Sequence, residues 1–222
     1  MPPAAVYHDL DAVVISHAHL DHLDVPSLRL IDKDTPVLAP LATKRLLRRL
    51  GFADVTEMEP GRSRDVGPVR IVATPARHGS TRYPMSVPGN TLGYLVRGRL
   101  TAYFAGDTGL YDGMRDLAPI DVAVLPVGGW GPRLPSDHLN PLSAAKALEL
   151  LRPGACVPVH WGTIYPPWLP PEFNAKWAEW PHAFARYAAH LTPEVDVRIL
   201  QPGESTVFAS AEGGGEAARE HG

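Results

Sequence analysis

The chain has 222 residues, enough for one large domain with a substantial core and too few for two ordinary domains. Its content of 45% hydrophobic and 20% charged residues is typical of a soluble globular protein, and a net charge of −3 excludes a general attraction to nucleic acid or anionic membranes. The single cysteine, Cys156, excludes disulfide bonds within the chain, and no stretch has the pattern of a signal peptide or a membrane span. We therefore expect a cytoplasmic protein without a transmembrane segment.

Short apolar runs alternate with stretches of helical periodicity along the chain. Apolar character and turn signals predict strands at residues 12–15, 36–40, 54–59, 66–73, 91–96, 100–104, 122–126, 156–159, 195–200 and 205–208. Capping residues and apolar spacing predict helices at residues 25–31, 41–50, 141–151 and 182–190. This alternation is typical of an α/β protein with its sheets covered by helices. We expect one domain over residues 1–210 and a disordered tail over residues 211–222, which are rich in Gly, Ala and Glu.

Four residues of the metal-ligating type follow the first apolar run within a span of six positions. They are His17, His19, Asp21 and His22. His17 and His19 share a side in an extended segment, whereas Asp21 and His22 are adjacent and point differently. This arrangement favours two metal ions served by one loop over four ligands on a single ion. The alternative is a solvated, histidine-rich turn, which is disfavoured by the dense packing of such residues at a strand end.

Three later predicted strands also finish in a residue that can bind a metal. These are His78, Asp107 and His160, and Asp107 lies between Gly106 and Gly109, which would allow a ligand to approach the backbone closely. If all four strand ends converge, they supply five imidazoles and two carboxylates. Seven ligands are too many for one tetrahedral ion and suit two ions that share a carboxylate.

These residues together resemble the metallo-β-lactamase superfamily. The pattern His17-x-His19-x-Asp21-His22, followed by His78, Asp107 and His160, carries the resemblance. One branch of the superfamily, which includes ascorbate-6-phosphate lactonase and the phospholipase D that hydrolyses N-acylphosphatidylethanolamine, is similar in further segments. Those segments are Arg77-His78, Asn90-Thr91-Leu92-Gly93-Tyr94, Gly106-Asp107-Thr108-Gly109, Pro126-Val127-Gly128, Pro132-Arg133, His138-Leu139-Asn140-Pro141 and Val159-His160-Trp161-Gly162-Thr163.

The resemblance implies a four-layer αβ/βα sandwich that holds two divalent ions at one edge. It implies that the first ion is held by His17, His19 and His78 and the second by Asp21, His22 and His160. Asp107 would bridge the ions, and a hydroxide between them would be the nucleophile, so that Asp21 and Asp107 count among the catalytic residues. Zinc is the favoured metal, while manganese and iron accept the same ligands and stay open.

Three further residues are candidates for contact with a substrate. In the branch, a histidine at the place of His138 faces the site, where it could orient a phosphate or protonate a leaving group. The alternative is a loop histidine without a role. Arg77 and Arg133 could bind an anionic substrate, although a single arginine is more often structural. Their presence weakly favours an anionic small molecule as the substrate.

The leading interpretation is a dinuclear metal-dependent hydrolase of a phosphodiester or of a lactone-type ester. An iron-dependent oxidoreductase of the same fold and an inactive remnant are the alternatives. A nuclease is disfavoured because there is no basic run for binding nucleic acid. Only about ten residues precede the strand that carries the His17 cluster, whereas the family usually has several strands there. We therefore expect the first strands to be missing or reduced, and a homo-oligomer would be one way to cover the exposed sheet edge.

Overall fold

The computed structural model describes residues 7–79, 91–129, 134–162 and 178–209. Its strands form a smaller and a larger sheet. The smaller sheet is parallel, has the order β1-β2-β3, and consists of β1 (Val13–Val14), β2 (Val37–Pro40) and β3 (Val55–Met58). The larger sheet has the order β10-β9-β8-β7-β6-β5-β4 and changes from parallel pairing to antiparallel pairing at β7.

The strands of the larger sheet follow the chain in two blocks. The antiparallel block consists of β4 (Ser63–Val66), β5 (Val69–Pro75), β6 (Leu92–Arg97) and β7 (Thr101–Phe104). The parallel block adds β8 (Val122–Pro126), β9 (Ala155–Val159) and β10 (Asp196–Val197). In the parallel block the carboxyl ends of neighbouring strands lie at one edge, which is where binding residues collect in such sheets.

Helices cover the outer face of each sheet. α1 (Val25–Leu30) and α2 (Lys44–Arg49) pack on the smaller sheet, while α3 (Pro141–Leu151), α4 (Trp180–Leu191) and a 3₁₀ helix (Asp112–Leu117) pack on the larger one. Local sequence fixes where α1 and α3 begin. The side chains of Asp24 and Asn140 accept hydrogen bonds from first-turn amides, and a proline follows each within the first turn.

Three apolar clusters define the layers. One lies between the larger sheet and its helices, a second lies between the smaller sheet and its helices, and the third joins the two sheets. The third contains Leu38, Met58, Leu92 and Tyr94, all fully buried. The Tyr94 hydroxyl donates a hydrogen bond of 2.9 Å to the carbonyl of Ile15, so it ties β6 to the segment that follows β1. The order helix, sheet, sheet, helix confirms the predicted αβ/βα sandwich.

Sequence reasoning missed one strand, and one strand that it predicted is wrong. The segment Ser63–Val66 is a strand, β4, which polar residues and the turn at Gly61 concealed; it pairs with β5 at an edge of the sheet. Residues 205–208 form no strand, although the sequence predicted one there. The expected tail over residues 211–222 lies outside the described residues. Within the part of the chain that the structure describes, no helix is both long and apolar enough to cross a membrane.

Candidate metal centre

Three imidazoles from two chain segments form a first ligand group, His17, His19 and His78. His17 and His19 follow β1, and His78 follows β5. The Nδ1 atom of His19 lies 2.8 Å from Nε2 of His17 and 3.2 Å from Nε2 of His78. A tetrahedral ion with bonds of about 2.0–2.1 Å would hold its nitrogens about 3.3 Å apart. The three nitrogens therefore converge at the spacing that a small divalent ion requires.

A second ligand group lies beside the first and contains Asp21, His22 and His160. The Nε2 atoms of His22 and His160 are 3.2 Å apart, and Oδ2 of Asp21 lies 3.7 Å from the former and 3.5 Å from the latter. His160 follows β9 and adopts a φ of 61°, in the left-handed region that costs free energy for any residue other than glycine. Such strained conformations are concentrated at functional sites.

Asp107 lies between the two groups, three residues after the end of β7. Its carboxylate oxygens are 4.0 Å from Nε2 of His17, 3.4 Å from Nε2 of His22 and 3.4 Å from Nε2 of His160. The side chain is buried, and its Oδ1 atom has no hydrogen-bond partner among the described residues. Burying an unpartnered carboxylate oxygen is costly, and a cation would remove that cost. The donor set and this oxygen both fit a pair of divalent ions.

Hydrogen bonds on the far side of the imidazole rings set their orientation. Nδ1 of His78 donates to the carbonyl of Asp137 and Nδ1 of His160 donates to the carbonyl of Gly128, each over 3.2 Å. Because a carbonyl oxygen can only accept, both rings must carry their proton on Nδ1. Their Nε2 atoms are thus left with the free electron pair that metal binding needs.

The hydroxyl of Ser16 forms a hydrogen bond with one imidazole in each ligand group. Its Oγ lies 3.0 Å from Nδ1 of His17 and 3.2 Å from Nδ1 of His22. The Ser16 side chain fits only because its neighbour is Gly106, at φ 60°; a Cβ there would come within 2.7 Å of the serine Cβ. Thus the glycine before Asp107 allows close approach of two ligand-bearing segments, as its place in the sequence suggested.

Burial and neighbouring charges prepare these groups for ligation. Burial first, and then the nearby His22, lower the pKa of His17 to about 2, so that its ring is neutral at neutral pH. Burial alone would raise the pKa of Asp21, but a hydrogen bond with His160 and the charge of His22 lower it to about 2. Burial also opposes ionisation of Asp107, yet His138 and His22 hold its pKa well below the usual range. Neutral imidazoles and ionised carboxylates are the forms that bind metals.

Residues 1–161 match the family described as the β-lactamase superfamily domain. The chain belongs to the metallo-β-lactamase superfamily. A UPF0173 metal-dependent hydrolase of Desulforamulus reducens is 33% identical over 201 residues, which are 86% of this chain and 80% of that protein. An N-acyl-phosphatidylethanolamine-hydrolyzing phospholipase D of Caenorhabditis elegans is 34% identical over 180 residues, 71% of this chain and 50% of that enzyme.

Solved structures of the superfamily agree with the fold. Igni18, a metallo hydrolase from the archaeon Ignicoccus hospitalis, superimposes with a TM-score of 0.69 and 27% identity, over 90% of this chain and 80% of that one. The chain spans about half the length of the first curated relatives it matches, for example 54% of a Mycobacterium tuberculosis protein that is 33% identical to it.

The predicted substrate contacts lie in different places. His138 lies at the metal centre, with Nε2 3.6 Å from Oδ2 of Asp107. Arg77 is exposed and lines an open groove of about 600 Å³ together with Tyr111, Lys146 and Glu149, residues outside both ligand groups. Arg133 lies outside the described residues. His138 therefore remains the candidate with direct access to the ligand groups.

Sequence reasoning missed two residues of the site. Ser16 immediately precedes His17, and a buried hydroxyl at the end of an apolar run was a signal that could have been noticed. Asp137 contacts His78 through its main-chain carbonyl, and its Oδ1 lies 3.2 Å from Nδ1 of His138. Its carboxylate next to His138 was visible in the sequence, but a main-chain contact across 59 positions leaves no signal there.

Proposed function

We propose that this superfamily member is a hydrolase that binds two divalent metal ions and cleaves a phosphodiester or a lactone-type ester. The observation that carries the proposal is the pair of ligand groups with the buried Asp107 carboxylate between them. His17, His19 and His78 would hold one ion, and Asp21, His22 and His160 the other. Asp107 would contact both. Zinc suits this set of imidazole and carboxylate ligands, and manganese or iron would also be accepted.

When bound, the ions would supply an activated water as nucleophile and stabilise the negative charge that develops on the substrate. The protein residues keep the site ready for this chemistry. The Asp137 and Gly128 carbonyls hold the rings of His78 and His160 in the ligating tautomer, and the low pKa of Asp107 keeps its carboxylate charged. Since a site that needs no rearrangement pays no reorganisation cost, this fixed geometry favours catalysis.

His138 would transfer a proton to the leaving group. Its Nε2 faces Asp107, and its side chain is 17% exposed. Burial lowers the pKa of the ring, but the carboxylates of Asp107 and Asp137 beside it outweigh burial and raise the pKa above the ordinary value. A raised imidazole pKa increases the fraction of the ring that carries a proton to donate near neutral pH. The relatives support the ester class, because the worm enzyme that is 34% identical is named for cleaving a phosphodiester lipid.

The test is turnover of bis-p-nitrophenyl phosphate and of a set of lactones by the metal-loaded protein, with and without a chelator. We expect turnover of one of these classes, its loss on chelation, and its loss in Asp107→Asn. Asp65→Asn is the matched control, since that carboxylate is exposed and forms a surface ion pair with Arg70. Turnover that survives in Asp107→Asn, or no turnover of any ester by loaded wild-type protein, would refute the proposal.

A further inference from the structure

The turn before α3 brings one residue into contact with both a ligand group and the candidate proton donor. The main-chain carbonyl of Asp137 accepts a hydrogen bond of 3.2 Å from Nδ1 of His78. Its carboxylate lies 3.2 Å from Nδ1 of His138 through Oδ1, and Oδ2 accepts from the amide of Gly79 over 3.3 Å. Oδ2 also lies 3.4 Å from Nδ1 of His78, but the hydrogen bond of that ring goes to the carbonyl. The carbonyl therefore orients His78, whereas the Oδ1 atom of the carboxylate faces His138.

The carboxylate is held in one place by its own contacts. The amide of Gly79 fixes Oδ2, and the carbonyl of Pro135 accepts from the His138 amide over 3.1 Å, which closes the turn. The turn also packs on Gly109, where a Cβ would overlap the carbonyl oxygen of Ser136. Because Oδ1 is held at a fixed position relative to the His138 backbone, it can determine the orientation of the His138 ring.

The ring of His138 has two ends with different tasks. Both neighbouring carboxylates only accept, but Oδ1 of Asp137 lies 3.2 Å from Nδ1, whereas Oδ2 of Asp107 lies 3.6 Å from Nε2, beyond hydrogen-bond distance. The neutral ring therefore keeps its proton on Nδ1. The ring also packs edge-on against His78, with centroids 4.4 Å apart and an interplanar angle of 88°. A carboxylate that fixes the tautomer and rotamer of an imidazole is an established way to prepare that imidazole for proton transfer.

We propose that Asp137 is a positioning residue that fixes the orientation and tautomer of His138 with its carboxylate, an inference that rests on the proposed hydrolase function. Its effect on turnover passes through His138, whereas the hydrogen bond that orients the metal-ligating ring of His78 goes to its carbonyl, which every substitution retains. Side-chain variants should therefore impair turnover and leave the metal content unchanged.

The test combines kinetics with a measurement that needs no substrate. Asp137→Ala should lower kcat at least about tenfold, with the same metal content per chain as wild type by plasma mass spectrometry. The double variant Asp137→Ala/His138→Ala should be no slower than His138→Ala alone, because the two residues act as one unit. Ser136→Ala is the control in the same turn, since its side chain is exposed and should leave kcat unchanged.

The ring signals of His138 in the zinc-loaded protein give the independent readout. Long-range ¹H–¹⁵N spectra at a pH of about 9, well above the ordinary imidazole pKa, should show the Nδ1-protonated tautomer in wild type and a mixture in Asp137→Ala. Identical ring spectra, or additive losses of kcat in the double variant, would overturn the role of Asp137. If wild type hydrolyses no ester, the hydrolase function fails, and the spectra alone still decide for or against the positioning role.

Discussion

Replacing Ser16 with alanine should weaken the binding of both proposed metal ions at once. The Ser16 hydroxyl lies within 3.0 Å of Nδ1 in His17 and 3.2 Å of Nδ1 in His22, and these rings belong to different ligand groups. Since Ser16 is buried, with 4% of its surface exposed, water cannot easily take the place of the lost hydroxyl. Both rings would lose the partner that holds their proton on Nδ1 and directs Nε2 inward.

The size of the effect follows from two hydrogen bonds. Each is worth about 1 kcal/mol in net terms, and leaving a buried ring nitrogen unpaired costs about 1–3 kcal/mol. Because about 1.4 kcal/mol corresponds to a tenfold change in affinity, each ion should bind about 10–100-fold more weakly. A residue that served only one ligand group would affect only one binding step.

Competition with a fluorescent chelator measures both binding steps. Thr43→Val is the control, because Thr43 is fully buried and its hydroxyl donates to the carbonyl of Pro40 over 2.6 Å, away from both ligand groups. The control should lower the free energy of unfolding and leave both affinities unchanged. Unchanged affinities in Ser16→Ala, or a loss confined to one step, would refute the shared role of the hydroxyl.

Two further predictions concern the packing and the protonation of the site. Gly109→Ala should displace the turn that carries His138 and lower kcat at least about tenfold. Gly98→Ala is the control, because its added Cβ would meet only ordinary van der Waals contacts, and it should leave kcat unchanged. Equal kcat values for the two variants would contradict the prediction. The pKa of His17 falls to about 2 on folding from an ordinary 6.5. Its neutral, buried ring therefore costs no stability above pH 6.5, and the free energy of unfolding decreases as the pH falls below that value. In denaturant titrations from about pH 6 to 4.5, the free energy of unfolding of metal-free wild type should fall by about 1.4 kcal/mol per pH unit more than that of His17→Gln. If the two free energies change in parallel with pH, the prediction is contradicted.

The sandwich could be predicted because its buried strands and capped helices have strong local signals. The apolar runs at β8 and β9 and the Asn140-Pro141 start of α3 are examples, and the structure confirms them. β4 was missed because an edge strand buries little surface, so Ser63–Val66 does not need an apolar pattern. The segment 205–208 consists of residues that favour strands, but no described strand pairs with it.

Some features of the candidate site could be predicted from the sequence and others could not. Side chains such as His17 and Asp107 can be identified from the sequence, because their residue types and their positions after predicted strands indicate metal binding. Contacts through the main chain do not, so the carbonyls of Gly128 and Asp137 appear only when the chain is folded. The exposed position of Arg77 depends on which way one side chain leaves the end of β5, which no local pattern specifies.

The most direct test of the two-ion account is the number of metal ions that the wild-type chain binds. Protein purified without added metal and then titrated with zinc should reach two equivalents per chain by plasma mass spectrometry after gel filtration. We expect Asp107→Asn to retain fewer, since that carboxylate lies 3.4 Å from both His22 and His160 and 4.0 Å from His17. A wild-type chain that saturates at one equivalent, or retains none, would contradict the account.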